Sequence, residues 1–220
     1  MNPDNLARLR QGVYRLLGAG LAPPSADTIG HTIASIPVLE DLGLFDFAFS
    51  TPLVDYTEQL AAADLDQLVA AYMALFEVGV GGASCPPTES AWLANPHTGN
   101  VAVIHSDLRR TYLRYGLRPA GPLKDTIDHA TVELDVMSSL CESEAVSLGA
   151  GRPIERARRN QREFLNVHLG RWIPGFARAV ERTDRHPAYT ALARSTHAYL
   201  VHDVELLAIL GAGDDAGPQP

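Results

Sequence analysis

Apolar residues in this chain recur three and four positions apart nearly throughout, and runs that alternate with period two are almost absent. That spacing lines one face of a helix, so the chain is restricted to helices packed against helices. Leu6, Leu9, Val13, Leu16 and Leu17 mark a first such face, which Pro23 and Pro24 end; a short second helix is expected over Ala26 to Ser35. From Asp64 to Phe76, Leu65, Leu68, Val69, Tyr72, Leu75 and Phe76 share a face, with Asp64 as N-cap and Gly79 beyond the C-terminal end. Ser106 to Gly116 gives another helix, and residues 100–105 (NVAVIH) are the one stretch that also reads as a strand.

A long helix is expected to open at Asp125 or Thr126 and run to about Leu148. Its stripe of Ala130, Leu134, Met137 and Cys141 is widened by Val132, Val136 and Leu140, the pattern of a central helix touched on two sides. Ile154 to Trp172 follows, with Pro174 as a break or kink, and Pro187 to about Leu210 comes last. The expectation is an all-α, single-domain bundle of about eight to ten helices over residues 1–211, with 212–220 as a disordered polar tail.

At 220 residues with 46% apolar content, the chain can bury a single core. Its net charge of -8 argues against nucleic acid as a partner, because phosphate binding needs a basic surface. The same charge argues against anionic lipid and suits a basic partner. The first residues are charged early and lack a secretion-signal block, and no window reaches the roughly 18 apolar residues of a membrane span. No membrane insertion is expected. Cys85 and Cys141 form no CxxC pair and read as two reduced thiols.

The segment LFEVGVGGASCPPTES, Leu75 to Ser90, is the least ordinary. It is not a phosphate loop: it follows a helix, carries no Lys, and Pro86 and Pro87 remove two N–H donors. The eight histidines are dispersed. His129 and Glu133 share a helical face at i, i+4, which gives two ligands where a structural zinc site takes four. The plain reading is a His–Glu hydrogen bond; the rival is an all-α metal-dependent enzyme using His129 and Glu133. There is no GxSxG elbow, and Cys85 has prolines rather than bases beside it. What remains is recognition: a Pro-fixed bend beside aromatics and carboxylates, suited to a peptide bearing apolar and Arg residues.

Three segments together resemble the TorD/DmsD/NarJ family of molybdoenzyme maturation chaperones. They are YMALFEVGVGGASCPPTES (72–90), IDHATVELDVM (127–137) and FLNVHLGRWIPGF (164–176), which occur in the family's order. The first is most similar to the branch serving type II enzymes of the DMSO reductase family. The chain departs from the family pattern at Lys124 and Asp125, where an E–P pair often stands.

The resemblance implies an all-helical cytoplasmic chaperone that is not an enzyme and holds no cofactor of its own. Its implied partner is the apo catalytic subunit of a molybdoenzyme, or that subunit's twin-arginine signal peptide, held until the molybdenum cofactor is inserted before export. It also implies a monomer or a domain-swapped dimer. Client contacts are expected from Glu77, Glu89, Asp128, His129 and Glu133, with Tyr72 and Pro86 as groove walls. Phe164 and Trp172 are expected in the core, with His168 a satisfied polar group beside them. A permanent structural subunit of a respiratory complex is the third reading.

Overall fold

A computed structural model describes residues 2–77, 83–94, 100–118 and 126–215, with side chains to residue 211. The glycines at 79, 81 and 82, the Lys124–Asp125 departure and residues 216–220 of the expected tail lie outside the described residues. The fold is all-α. Ten α-helical segments occur among the described residues: α1 (Pro3–Gly20), α2 (Ala26–Asp41), α3 (Ser50–Ala62), α4 (Leu65–Tyr72), α5 (Glu89–Leu93), α6 (Val101–Tyr115), α7 (Ala130–Gly149), α8 (Glu155–Phe164), α9 (Gly170–Thr183) and α10 (Pro187–Asp215). The sole β pairing among them is an antiparallel bridge between Thr88 and His129. None of these helices is long and apolar enough to cross a membrane.

Local chemistry sets the helix ends. The side chains of Ser25 and Asp64 accept the main-chain N–H groups of Thr28 and Gln67, as N-caps do. Gly116 closes α6 at φ 78°, a conformation that favours glycine. The ambiguous stretch at 100–105 is helical and forms the first turn of α6. Ile104 and Leu108 face the core while Val103 is exposed, so the helical period prevails over alternation there.

The central helix begins at Ala130, later than expected, because residues 126–129 make a turn that pairs with residues 87–90. As its two-sided apolar face requires, α7 packs on α1 and on α8, while α10 lies across α3, α8 and α9.

The expected faces shift where the helical repeat changes. Residues 73–77 and 165–169 are single π-turns. Within the first, Leu75 and Phe76 are buried, whereas Leu65 and Val69 of the preceding α4 are more than a third exposed. After the second, the chain runs on into α9 with Pro174 inside it, so the irregularity falls at the π-turn and not at the proline. Gly170 follows this turn for a steric reason: a Cβ there would stand 2.7 Å from the Leu165 carbonyl oxygen. Alanine at an ordinary helical glycine stabilises by about 1 kcal/mol. Here Gly170→Ala should instead cost about 1–3 kcal/mol in urea denaturation, because backbone must move. A stabilising effect would contradict the tight turn.

A buried polar network crosses the bundle. Arg10 of α1 donates to Asp203 of α10 (2.5 and 3.0 Å), Glu144 of α7 (2.9 Å) and Gln161 of α8 (2.6 Å). Tyr14 donates to Asp203 at 2.7 Å, and Arg158 to Glu144 at 2.7 Å. Arg10, Glu144 and Asp203 are all at most 2% exposed.

Candidate functional site

The three sequence segments that carry the family resemblance meet in space. Glu89 N–H donates to the Asp128 carbonyl and Ala130 N–H to the Pro87 carbonyl, each at 2.8 Å. These bonds lay the PPTES stretch against the IDHA stretch. The Asp128 carboxylate accepts the N–H of Ser90 at 3.1 Å, tying the start of α5 to the start of α7. Trp92 Nε1 donates to the Pro86 carbonyl at 2.8 Å, which fixes the exit from the two prolines.

The third segment supplies His168, from the π-turn, and Trp172. His168 Nδ1 faces the Glu89 carboxylate at 3.0 and 3.3 Å, and Trp172 Nε1 donates to Glu133 Oε2 at 3.1 Å. A π-turn widens the helix by one residue, and such turns recur at functional sites because they re-aim side chains. From α6, His105 Nε2 lies 3.1 Å from Asp128 Oδ1, and Tyr112 donates to the Ile127 carbonyl at 2.7 Å.

The result is a buried acidic cluster. Glu89 and Asp128 are 2% exposed and Glu133 is fully buried. Burial first, then the nearby Glu89 charge, push the Glu133 carboxyl well above the usual carboxylate range. The same burial, with Glu133, Glu89 and Asp128 adding to it, raises the Tyr112 phenol. Glu133 Oε1 has no hydrogen-bond partner among the described residues.

His129 plays a different part. Its Nδ1 accepts the N–H of Thr131 at 3.2 Å and caps α7, and burial lowers its pKa to about 4 although Asp128 pulls the other way. His129 and Glu133 therefore face separate partners, the α7 cap and Trp172. Among the described residues no three His, Cys, Asp or Glu side chains are grouped to hold a metal.

A groove of about 640 Å3 opens over this cluster. Glu89 and His168 lie at its floor; Val103, Ile104, Asp107 and Arg110 of α6 form one wall, and Val167 and Arg171 form the other. A second cavity, about 550 Å3, lies between α1 and α7, with Arg15, Arg118 and Asp135 around an apolar lining. It contains none of the carboxylates brought together here, so the groove over Glu89 is the stronger candidate.

Of the residues singled out from sequence, Glu89, Asp128, His129 and Glu133 come together. Tyr72 does not line the groove: it is 2% exposed, packs edge-on against Phe76, and its hydroxyl reaches the Leu21 carbonyl. Glu77 is exposed at the end of the first π-turn and Pro86 is half-buried. Phe164 and Trp172 are core, and His168 has its carboxylate partner. Ser90 closes the first family segment, while His105 is not marked by the sequence. Nothing in its local spacing sets His105 apart, because it joins the cluster only through Asp128 of the 126–129 turn.

The family model described as nitrate reductase delta subunit matches residues 45–178. The chain is 33% identical over 119 residues to the selenate reductase assembly chaperone protein of Thauera selenatis, covering 54% of this chain and 60% of that one. It is 29% identical over 119 residues to the chlorate reductase assembly chaperone protein of Ideonella dechloratans, with the same coverage. It is 27% identical over 100 residues to the chaperone protein TorD of Vibrio cholerae, covering 46% of this chain and 45% of that one. The match thus spans about 60% of the first two relatives and less than half of the third. A redox enzyme maturation protein from Archaeoglobus fulgidus shares the fold, with a TM-score of 0.57, 21% identity, and coverage of 86% of this chain and 93% of that one. The chain belongs to the nitrate reductase delta subunit family, the TorD/NarJ group of molybdoenzyme maturation chaperones.

Proposed function

We propose that this chain is a binding protein rather than an enzyme, and that it holds the immature catalytic subunit of a molybdoenzyme until its cofactor is inserted. The client belongs to the DMSO reductase family, the holding takes place in the cytoplasm before export, and the gripped region includes the client's twin-arginine signal peptide. The observation that carries this reading is the convergence of three family segments beneath one groove, whose floor is the Glu89–His168 pair and whose walls include exposed Val103 and Val167. A groove whose walls set Val103, Ile104 and Val167 beside Asp107, Arg110 and Arg171, over the buried Glu89 carboxylate, suits an extended segment carrying apolar and charged residues. The overall charge of -8 favours encounter with such a segment.

The wall residues provide the test, since they are solvent-facing and their replacement leaves the core intact. Val103→Asp and Val167→Asp should each weaken capture of the apo subunit at least about tenfold, equivalent to about 1.4 kcal/mol, with the unfolding midpoint unchanged. Full capture by both variants would place the client elsewhere.

A further inference from the structure

The carboxyl of Glu133 is the feature that client holding leaves unexplained. It is fully buried on α7, its Oε2 accepts from Trp172, its Oε1 has no donor among the described residues, and it neighbours the Glu89 carboxylate, with which it can bond only if one of the two carries a proton. A buried, unpartnered carboxyl oxygen costs about 1–3 kcal/mol, so a fold retains one where something else uses it. The groups acting on it are Glu89 of α5, Asp128 of the turn before α7, Tyr112 of α6 and Trp172 of α9, while the ring of His129 caps α7. Neither Lys nor Arg is among these. His168 stands against Glu89 and His105 against Asp128, so Glu133 is the carboxyl without a basic neighbour. Glu89 lies between Glu133 and the groove, and is the carboxylate on the floor that a cation meets after passing Asp107, Arg110 and Arg171 on the walls.

We propose that Glu133 is a proton-exchange site: a guanidinium group of the bound segment, seated on Glu89, displaces to solvent the proton that Glu133 carries in the free protein. This rests on the proposed client binding and adds its regulation. Without a client, a proton keeps the buried acid neutral beside Glu89. With a guanidinium in place, the ionised form gains a charge partner and the proton leaves to buffer. One bond, O–H at Glu133, is broken, and no other covalent bond changes. Client affinity then rises with pH, by up to about tenfold per unit over the range in which one proton is released per complex. Burial and the neighbouring Glu89 charge both shift this carboxyl toward its neutral form.

The probe is a short apolar peptide bearing an Arg–Arg pair, with a control in which both arginines are Gln. Infrared difference spectra should show a protonated-carboxyl band in the free protein at pH 7 that is absent from Glu133→Gln. That band should disappear when the Arg–Arg peptide binds. Calorimetry in buffers of different ionisation enthalpy should register about one proton released. Glu133→Gln, which mimics the neutral acid, should bind with no proton release and with affinity independent of pH. A bound Arg–Arg peptide with the band intact and no proton released would overturn proton exchange while leaving client holding in place. If wild-type protein does not bind the peptide, the guanidinium receptor is wrong; capture of the whole subunit, tested with the wall variants, decides client holding separately. The wild-type spectra and proton count stand even if the variant fails to fold.

Discussion

Arg10→Ala is expected to lower the unfolding free energy by about 3–5 kcal/mol, the usual effect of removing one partner from a buried ion pair. In a chain of this length that is a fall in melting temperature on the order of 10 °C. The guanidinium is 2% exposed and bonds Asp203, Glu144 and Gln161, which come from three other helices. Its loss leaves the Asp203 carboxylate inside the protein with Tyr14 as its remaining side-chain donor among the described residues. Glu144 keeps Arg158 and Gln161. Arg10→Met combined with Asp203→Leu should recover much of the loss, since apolar replacement of a whole buried pair is often close to neutral. Urea denaturation checks both; a cost below about 1 kcal/mol for Arg10→Ala would mean that the network does not hold the helices in register.

The second large effect is an acid-side loss of stability that Asn at position 129 removes. His129 caps α7 by accepting a hydrogen bond at Nδ1, which requires the neutral ring, and burial lowers its pKa from 6.5 to about 4. Between those values the unfolded chain binds a proton that the folded chain refuses. The contribution is therefore intact above pH 6.5 and is lost as pH falls toward 4. Its size is on the order of 3 kcal/mol for a shift of this extent. Glu133 acts in the opposite sense: its raised pKa contributes stability below its ordinary range that is lost as pH rises. The diagnostic is thus the difference between wild type and His129→Asn, because Asn caps without titrating. That difference should grow toward pH 4 and level off below it. A parallel pair of stability curves would show that burial does not hold the His129 ring neutral in the folded chain.

The bundle was legible because helix packing is written in spacing. The two-sided face of α7 and the caps at Asp64 and Gly116 follow from local rules, and the structure reproduces them. The π-turns at 73–77 and 165–169 were not legible, since inserting one residue into a helix leaves no local signature. Across the first, Leu75 and Phe76 stay on the core face that Leu65 and Val69 leave, and after the second the helix runs on through Pro174.

The Arg10 network left a signal that went unread. Arg10 lies four residues after Leu6 and three before Val13, on the apolar stripe itself, and Glu144 continues the stripe of Met137 and Cys141. A charge on a buried stripe calls for a partner on another such stripe. At the site, the acids were found by their segment likeness, but their burial was not foreseen. Glu89, Asp128 and Glu133 are not displayed on a wall; they lie beneath it, and the solvent-facing contacts come from α6 and the π-turn, whose helices bring Val103 and Val167 to the same opening.

The most direct test is to produce this chain with its cognate molybdoenzyme catalytic subunit in a host whose molybdenum-cofactor synthesis can be switched off. Binding without chemistry predicts a stable complex when the cofactor is absent, release when it is supplied, and an enzyme poor in molybdenum when this chain is deleted. If the two proteins stay apart under both conditions and the enzyme fills with cofactor equally well without its companion, the account is contradicted.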